Sequence, residues 1–456
     1  MFRRILVANR GEIALRVIRA CHELGVEAVA VYSTADADSL HVRRADQAVC
    51  IGPPDPRRSY LFISSVVAAA VISGCEAVHP GYGFLAENAE FARACSDNDL
   101  IFIGPTPESM VQLGDKSLAK QIMVGVGLPT IPGSEGILGT PAEAAALAAE
   151  VGYPVMLKAA AGGGGRGMRL VEEPAQLERS FLAATAEAEA AFGNGGLYLE
   201  KVIREPHHIE VQVVGDGRGG VLTLGERDCS IQRRHQKVLE ESPSPLLEAS
   251  TRQRLHESVS KACSAIRYAS AGTLEFLADE ERNFYFMEMN TRVQVEHPVT
   301  EMVTGVDIIR EQIRIAAGEP LASTGSVPPV GHAMEFRINA EDPANNFLPR
   351  GGVIERLILP GGPGVRVDTH LYEGYRVPTQ YDSLLAKVIV WDRDRPACIA
   401  RGLRCLGELE IGGVPTTRDL HVDILRHPAF NRGRFSTGFL ESARDELPSL
   451  AKQTPA

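Results

Sequence analysis

The sequence predicts an α/β fold, α+β in part, with three structural units along the chain. Three observations support this prediction. Residues 1–104 alternate between strand and helix patterns, a glycine run lies between two strands near residue 160, and residues 330–446 contain short strands separated by glycine turns. Strands that alternate with helices favour a parallel sheet covered by helices, so the first unit is expected to be doubly wound. The length of 456 residues agrees with about three domains.

The composition is that of an ordinary globular protein, and it argues against several classes of function. Hydrophobic residues make up 44% and charged residues 23%, and the net charge of −11 argues against a broad nucleic-acid or anionic-membrane surface. The eight cysteines form no CxxC pair, which favours free thiols in a reducing compartment over a zinc site or a disulfide framework. We find neither a signal-peptide core nor an apolar run near the ~20 residues of a membrane span. We therefore expect a cytoplasmic protein with no membrane and no nucleic-acid partner.

In the first unit, apolar runs alternate with amphipathic stretches. These patterns predict strands over residues 5–8, 26–32, 77–79 and 100–103 and helices over residues 12–24 and 60–73. The first turn, residues 9–12, lacks the GxGxxG pattern, so no dinucleotide-binding fingerprint is expected. The segment HPGYGFL, residues 79–85, follows a strand end, where open α/β sheets place ligands. Composition alone favours a different interpretation of that segment, a Pro/Gly turn with a packed Tyr82.

The second unit, around residues 130–200, contains the glycine run. Lys158 ends one strand, glycines at 162–165 and Arg166 follow, and residues 168–171 form the next strand, so the glycines lie in a hairpin. No Gly-Lys-Ser/Thr follows, which excludes a P-loop. The unhindered backbone N–H groups of such a hairpin can cradle phosphate oxygens, and the hairpin can move as a lid over a nucleotide. A flexible turn is the alternative, but it would not require the cations Lys158 and Arg166.

The segments that follow are rich in charge. Residues 197–203 have the pattern of a strand, and His208, Glu210 and Gln212 alternate along the next strand. Residues 230–237, SIQRRHQK, form a dense cationic patch. On an acidic chain this patch is either a solvated turn or an anion site, and the sequence alone leaves both interpretations open.

The most informative stretch is NFYFMEMNTRVQVEHPVTE, residues 283–301. It begins with the aromatic and apolar residues of a strand, and the side chains of an extended chain alternate faces. As long as the chain stays extended, one face carries Glu288, Asn290, Arg292, Gln294 and Glu296. The wet face of an edge strand is the alternative interpretation. Against it, Phe284 and Phe286 share this face, which therefore starts in a core.

A partner strand for this stretch is predicted just upstream. Residues 272–277 have a strand pattern, and residues 279–282 form a polar turn. In one hairpin register Glu275 faces Glu288, with Cβ atoms about 5 Å apart. Two facing carboxylates are unfavourable unless a cation lies between them, and Mg²⁺ is the natural candidate because carboxylates and substrate phosphates hold it. The sequence does not fix the register.

The third unit covers residues 330–446. Residues 332–340 form a predicted strand that contains Arg337 and leads into Glu-Asp-Pro at 341–343. Glycines mark turns between further short strands, and residues 398–409 are predicted to be helical. The last residues, SLAKQTPA, have the character of a frayed tail.

Five long motifs, in order along the chain, carry a resemblance to a known family. They are HPGYGFLAEN, KAAAGGGGRGMR, ERDCSIQRRHQK, FMEMNTRVQVEHPVTE and FRINAEDP. The chain resembles biotin carboxylase, the ATP-grasp subunit of biotin-dependent carboxylases, from Arg3 to about Glu441, and FRINAEDP separates it from other ATP-grasp ligases. The resemblance implies an N-terminal doubly wound domain (1–113), an ATP-grasp domain (114–330) with its glycine-hairpin lid at about 131–203, a mixed C-terminal domain (331–446) and a tail (447–456).

The resemblance implies a nucleotide site at matching positions. Contacts with ATP phosphates would come from two lysines and two lid glycines, Lys116, Lys158, Gly164 and Gly165. The adenine would meet backbone groups of four consecutive residues, Glu200, Lys201, Val202 and Ile203. His208 and His235 would support the nucleotide. Glu275 and Glu288 would bind Mg²⁺ or Mn²⁺, with Asn290 at a second metal.

The resemblance also implies a site for the other substrates. Bicarbonate would be held by Lys237, Arg292, Gln294 and the backbone of Val295. Glu296 would be the general base, and Arg337 and Tyr82 would lie near biotin. Bicarbonate and the ATP γ-phosphate are both anions, so cations are needed to bring them together.

The implied activity is ATP- and bicarbonate-dependent carboxylation of biotin through carboxyphosphate. Biotin would be attached to a separate biotin carboxyl carrier protein, and carboxyltransferase subunits would complete an acetyl-CoA or related acyl-CoA carboxylase, as in fatty acid biosynthesis. No Ala-Met-Lys-Met carrier motif is found, so a free-standing subunit is expected, and the family implies a homodimer. Which acceptor the partner chains would serve is left open.

One departure from the family pattern is visible, and two other functions stay open. Pro-His-His at 206–208 replaces the usual Pro-Arg-His, so that a titratable imidazole, His207, stands where a permanent cation is expected. One alternative function is an ATP-grasp amide ligase, against which Arg337 and residues 292–296 argue. The other is a catalytically silent nucleotide-binding scaffold, against which the suitable residue at every expected catalytic position argues.

Overall fold

A computed structural model of the chain describes residues 1–160 and 168–451, apart from the side chain of Phe192. The described chain divides into two compact units. The first comprises Met1–Gly114, His207–Phe276 and the chain from Glu288 onwards, and the second comprises Asp115–Pro206 and Leu277–Met287. The boundaries between three domains that the sequence indicates stay a prediction.

The first unit begins with a parallel sheet of five strands in the order β3-β2-β1-β4-β5. Its elements are β1 (Arg4–Val7), α1 (Gly11–Glu23), β2 (Glu27–Ser33), α2 (Leu40–Arg44), β3 (Gln47–Gly52), α3 (Ile63–Ile72), β4 (Ala77–His79), α4 (Ala89–Ser96), β5 (Ile101–Phe102) and α5 (Pro107–Gly114). The strand order reverses direction at β1, so the sheet is doubly wound, as the sequence predicts.

Both faces of this sheet are buried, which explains why β1 is uniformly apolar. Ile5 and Val7 pack with residues of α1, whereas Leu6 packs on the opposite face with residues of α3 and α4. Alternate side chains of one strand therefore enter two different cores. The edge strand β3 was not predicted, although it contains the short apolar run Ala48-Val49-Cys50-Ile51, and half of its residues are exposed.

The turn after β4 is built around Gly81. Its backbone has φ +63°, and a Cβ atom at this position would lie 2.9 Å from the Asn9 side-chain nitrogen. That nitrogen donates hydrogen bonds to the carbonyls of Pro80 and Tyr82, both at 2.7 Å. Glycine is needed here because L side chains rarely adopt this backbone conformation and the asparagine approaches closely.

The second unit contains an antiparallel three-stranded sheet in the order β7-β6-β8. Its elements are α6 (Lys116–Gly125), α7 (Pro141–Val151), β6 (Val155–Ala159), β7 (Met168–Val171), α8 (Pro174–Phe192) and β8 (Leu197–Lys201). Lys158 pairs with Met168 on one side and with Tyr198 on the other. The pairing of β6 with β7 agrees with a hairpin, whose glycines, including Gly164 and Gly165, and Arg166 lie outside the described residues.

A larger sheet has nine strands within the described chain, and apart from residues 277–287 these strands belong to the first unit. The order is β13-β12-β9-β10-β11-β15-β22-β20, with β14 beside β10. The strands are β9 (His207–Asp216), β10 (Val221–Arg233), β11 (Gln236–Ser242), β12 (Ala269–Ala278), β13 (Phe284–Asn290), β14 (Gly325–Ser326), β15 (His332–Asn339), β20 (Val365–Thr369) and β22 (Leu384–Asp392). Strands far apart in sequence are neighbours in this sheet, and it brings their charged side chains together.

Helices and short strands complete this part of the chain. The helices are α9 (Ala249–Ala265), α10 (His297–Thr304), α11 (Ile308–Ala316), α12 (Arg395–Glu408), α13 (Arg418–Arg426), α14 (Pro428–Asn431) and α15 (Phe439–Ser442). The short strands are β16 (Glu341–Asp342), β17 (Leu348–Pro349), β18 (Gly352–Val353), β19 (Arg356–Ile358), β21 (Arg376–Val377) and β23 (Glu410–Gly412). Among the described helices, none combines the length and the apolar character that a membrane span requires.

Candidate active site

A half-buried lysine surrounded by three carboxylates forms the centre of the site in the first unit. The Lys237 ammonium lies 2.7 Å from a Glu296 oxygen and 3.1 Å from a Glu275 oxygen, and it also contacts Glu210. Burial opposes the charge of Lys237, but the carboxylates outweigh it and hold the pKa of the lysine well above its usual value. The residues come from β11, the start of α10, β12 and β9, so the large sheet assembles the cluster.

His208 belongs to the same cluster. Its Nε2 atom lies 2.9 Å from Glu275 and 3.2 Å from Glu210. Burial lowers the pKa of this imidazole, but the two carboxylates more than compensate and raise it to about 9. His208 is thus a buried cation beside the predicted nucleotide and metal residues.

Arg227 was not singled out from the sequence, although it organises the site. This residue of β10 is fully buried, and its guanidinium donates to both Glu210 and Gln294. It donates further hydrogen bonds to Gln212, Thr273 and Thr300. The available signal was the charged triplet Glu226-Arg227-Asp228 inside a stretch with strand-forming residues on both sides, where a buried charge must have partners.

The polar stretch after β13 converges on Glu275, but not in the way the sequence predicts. The strand ends at Asn290 and Glu296 stands immediately before α10, so the chain stays extended only as far as Asn290. The side-chain amides of Asn290 and Gln294 nevertheless both donate to the same Glu275 oxygen at 2.7 Å. Glu288 is half-buried, and its pairing with Glu275 stays a prediction.

Arg292 and Arg337 bring two further cations to this region of the first unit. Arg292 donates to Glu87 at 2.9 Å and to the Asn290 side-chain oxygen at 2.8 Å. Arg337 donates to Glu240 at 2.6 Å and to Glu296 at 2.8 Å. Glu87 was not singled out, although it lies within the HPGYGFLAEN motif.

Two other predicted residues of the first unit have different surroundings. The hydroxyl of Tyr82 donates to Glu12, and burial together with that carboxylate raises the pKa of Tyr82 well above its usual value. This hydrogen bond fits the interpretation of a packed tyrosine in the turn. His235 is exposed in the turn between β10 and β11.

The carbonyl of Val295 accepts a hydrogen bond from Lys387, a residue that was not predicted to belong to the site.

The predicted residues of the second unit form a separate cationic cluster. The buried carboxylate of Glu200 pairs with both Lys120 and Lys158. Burial raises the pKa of Glu200, but the two lysines outweigh that effect and lower it below its usual value. Lys120 was not predicted, and Lys116 is exposed at the first residue of α6.

The backbone that follows Glu200 is held by the second unit itself. The Lys201 ammonium donates to the carbonyls of Val151 and Gly152 at 3.0 and 2.9 Å. The backbone N–H of Val202 donates to Pro154 at 3.0 Å, and Ile203 is half-buried. The N–H of Val202 therefore already has a hydrogen-bond acceptor within the protein.

The imidazole that replaces the expected arginine has a buried partner of its own. His207 Nδ1 lies 3.0 Å from Asp228, and the ring centroid lies 5.2 Å from that of Phe435. Burial lowers the pKa of His207, but Asp228 more than compensates, so the net shift is upward from 6.5. Charged His207 therefore stabilises the fold.

The His207 pair predicts a pH-dependent stability. Because the folded pKa lies above 6.5, the stabilisation is fully present below pH 6.5 and is lost as the pH rises through the folded pKa. We expect the free-energy difference between wild type and His207→Gln to be larger at pH 5.5 than at pH 9, as measured by urea unfolding. Arginine at position 207 stays charged at both pH values. The difference in free energy of unfolding between His207→Arg and His207→Gln should therefore not fall between pH 5.5 and pH 9. Equal losses for the two variants at both pH values would contradict the prediction.

Two groups of side chains in the described chain have the ligand types and spacing of a metal site. They are His208, Glu210 and Glu275, and Glu210, Cys229 and Glu296, with ligand atoms within 4.8 Å of one another. Buried cations on this acidic face of the sheet can stabilise two anions that are joined in a reaction driven by nucleotide cleavage. Together with the doubly wound domain and the antiparallel sheet that flanks the glycine hairpin, this chemistry defines an ATP-grasp ligase.

The comparisons with known proteins identify the family. Residues 1–110 match the biotin carboxylase N-terminal domain, residues 115–324 the carbamoyl-phosphate synthase L chain ATP binding domain, and residues 335–442 the biotin carboxylase C-terminal domain. Biotin carboxylase of Nostoc sp. is 56% identical over 96% of this chain and 99% of its own length. Biotin carboxylase 1 of Bacillus subtilis is 50% identical over 97% of this chain and 99% of its own length.

Solved structures agree over the same length. The biotin carboxylase domain dimer of Hydrogenobacter thermophilus 2-oxoglutarate carboxylase, solved with MgADP, ADP and bicarbonate, has a TM-score of 0.91 and 50% identity over 98% of this chain and 99% of that chain. A Campylobacter jejuni biotin carboxylase–β,γ-ATP complex has a TM-score of 0.91 and 50% identity over 97% and 99% of the two chains. The chain belongs to the biotin carboxylase family. It is an ATP-dependent biotin carboxylase, and the comparisons support neither the amide-ligase nor the scaffold alternative.

Proposed function

We propose that Glu296 is the general base that activates bicarbonate for attack on the γ-phosphate of ATP. The observation that carries this proposal is the position of its carboxylate between Lys237 at 2.7 Å and Arg337 at 2.8 Å. Burial raises the pKa of Glu296, but the surrounding cations, Lys237 first, outweigh burial and lower it below its usual value. Glu296 is therefore ionised at neutral pH, as a base must be.

Bicarbonate is held beside Glu296 by Lys237, Arg292, Gln294 and the backbone of Val295. The orientation of Gln294 supports this role, since Arg227 binds its oxygen and Glu275 accepts from its nitrogen. A side chain fixed at both ends loses little rotational freedom when a ligand binds. The Hydrogenobacter domain was solved with bicarbonate, which is consistent with such a site.

ATP is held by two groups of residues. Lys116 and Lys158 contact the phosphates, and Gly164 and Gly165 close over them. The adenine meets the backbone of residues 200–203, and His208 and His235 support the nucleotide. The pair of cations that share Glu200 supports this assignment, since Lys120 and Lys158 can exchange that carboxylate for phosphate oxygens.

Mg²⁺, or Mn²⁺ in its place, binds at Glu275 and Glu288, with Asn290 at a second ion. The carboxylate oxygens of the two glutamates suit a hard cation. The Asn290 nitrogen donates to Glu275, so these two side chains lie together, and the Asn290 oxygen accepts from Arg292. When bound, the metal neutralises charge on the β- and γ-phosphates.

Each step of the proposed reaction is assigned to particular residues of the chain. Glu296 removes the bicarbonate proton as the oxygen attacks phosphorus, and ADP leaves with formation of carboxyphosphate. Carboxyphosphate breaks down to CO₂ and phosphate, the phosphate takes the ureido proton of biotin, and the biotin nitrogen attacks CO₂. Arg337 or Arg292 stabilises the biotin enolate, Tyr82 lies near biotin, and exclusion of water protects the intermediate.

The biotin is carried by a separate biotin carboxyl carrier protein. Carboxyltransferase subunits use the carboxybiotin, in acetyl-CoA carboxylase or a related acyl-CoA carboxylase, and the acetyl-CoA enzyme would serve fatty acid biosynthesis in the cytoplasm. The chain acts as a homodimer. The dimer of the Hydrogenobacter domain supports the last proposal.

The test is ADP release by the purified chain with Mg²⁺ and bicarbonate, with and without free biotin. We expect clear stimulation by biotin in wild type and its loss in Arg292→Ala, because that change removes a proposed bicarbonate ligand. Arg404→Ala, which removes an exposed arginine of α12, is the control and should behave as wild type. Turnover that is indifferent to biotin and bicarbonate would overturn the proposal.

A further inference from the structure

A fully buried lysine lies behind the peptide that precedes Glu296. Lys387, in β22, has no exposed surface, and its ammonium donates to the carbonyl of Val295 at 2.8 Å. Lys387 pairs in the sheet with Arg337, the residue that contacts Glu296 from the other side. Paired residues of two adjacent strands therefore contact the Val295 carbonyl and the Glu296 carboxylate.

The surroundings of Lys387 keep it charged and fixed. Its ammonium lies 3.2 Å from Glu12 and 4.0 Å from Asp368. Burial lowers the pKa of this lysine, but Glu12, Glu335 and Asp368 outweigh burial and raise the pKa above its usual value. Arg366 binds Asp368 at 2.6 Å, so Glu12 is the nearest carboxylate that depends on Lys387.

Glu335 is a further buried carboxyl group near Lys387. Both of its carboxylate oxygens are buried without a hydrogen-bond partner among the described residues. Burial raises the pKa of Glu335 well above its usual value. Glu335 therefore gives Lys387 no hydrogen bond, and the ammonium instead donates to the Val295 carbonyl and lies beside Glu12.

We infer that Lys387 is a positioning residue for bicarbonate, acting through the backbone of Val295. This inference rests on the proposed function, in which that backbone holds bicarbonate. Because the carbonyl of Val295 is fixed by a charged donor, the torsion angles on either side of its peptide bond are restricted, and Glu296 is the next residue. A charge-assisted hydrogen bond is stronger than one between neutral groups, so a buried lysine holds the peptide better than a neutral donor would.

The test compares Glu12→Gln with Glu12→Gln/Lys387→Met in biotin-stimulated ADP release. Tyr82 donates to Glu12, so both variants change the partner of Tyr82 in the same way. Because Glu12 is neutralised in both variants, the removal of Lys387 does not leave a buried carboxylate at Glu12 without its cation. We expect the double variant to raise the KM for bicarbonate about tenfold or more relative to Glu12→Gln. The KM for ATP should stay within about twofold, because the nucleotide is held by other residues. Arginine in place of methionine at position 387, in the same Glu12→Gln background, should restore part of the bicarbonate affinity that the double variant loses. Lys261→Met, at an exposed lysine of α9, is the control and should leave the KM for bicarbonate unchanged.

Each outcome decides between defined possibilities. An unchanged KM for bicarbonate in the double variant overturns the inference, as does an equal rise in the KM values for bicarbonate and ATP, which would show a general structural role. If the double variant does not fold, Glu12→Gln/Lys387→Gln decides, because it also removes the charged donor, and a KM for bicarbonate equal to that of Glu12→Gln would overturn the inference. Turnover by wild type without dependence on bicarbonate would instead overturn the proposed function.

Discussion

Glu296→Gln is expected to lower the rate of biotin-stimulated ADP release by about 10²–10⁴-fold, the range over which a positioned general base acts. Glutamine keeps the shape of the side chain and one oxygen acceptor, but it cannot take the bicarbonate proton. The measurement is the rate constant for ADP release at saturating ATP, bicarbonate and free biotin. Because the variant leaves the proposed nucleotide ligands Lys116 and Lys158 in place, we expect nucleotide binding to persist.

The matched control is Glu408→Gln, which makes the same chemical change at an exposed position of α12. Its rate should equal that of wild type. A rate for Glu296→Gln above about one tenth of the wild-type rate would contradict the assignment of Glu296 as the base, since the loss would then fall below the range for general base catalysis.

Arg227→Met is expected to lower the free energy of unfolding by about 3–5 kcal/mol, the usual cost of removing one partner from a buried ion pair. The guanidinium is fully buried and donates to Glu210, Gln212, Thr273, Gln294 and Thr300. Methionine fills much of the volume but leaves these acceptors without their donor. Urea unfolding, followed by circular dichroism, measures the change.

Two further variants separate charge from hydrogen bonding at this position. Arg227→Lys keeps the charge but offers fewer donors in a different geometry, so its loss should lie between those of wild type and Arg227→Met. Arg404→Met removes an exposed arginine and should change stability by less than about 0.5 kcal/mol. A loss below about 1 kcal/mol for Arg227→Met would show that its acceptors are satisfied without it.

The elements of the first sheet were predictable because each has a local signal. Apolar runs give the strands, and the observed β4 (Ala77–His79) agrees with the predicted 77–79. The helix predicted over 60–73 begins later, at Ile63, because Tyr60 packs in the core below the sheet instead of entering the helix. Signals of this kind depend on neighbours in sequence, which is why they survive without tertiary information.

The approach of Gln294 and Glu296 to Glu275 could not be predicted in the same way. Alternation in an extended chain placed them on one face, but the strand ends at Asn290 and Glu296 stands at the start of a helix. They still meet because the turn after Asn290 brings the chain back towards β12. The shared face that the sequence predicts for an extended chain therefore ends with the strand at Asn290, and the roles of Gln294 and Glu296 stay a prediction.

The sequence by itself determined the class of fold and predicted the residue types of the site, since these depend on local pattern and on motifs in order. Only the tertiary structure decided which charges share a partner. Lys237, Arg227 and Lys387 lie on three different strands, and their carboxylate and carbonyl partners come from other elements. Burial makes an unpaired charge costly, so these distant partners must converge, and the pairing is set by the order of strands in the sheet.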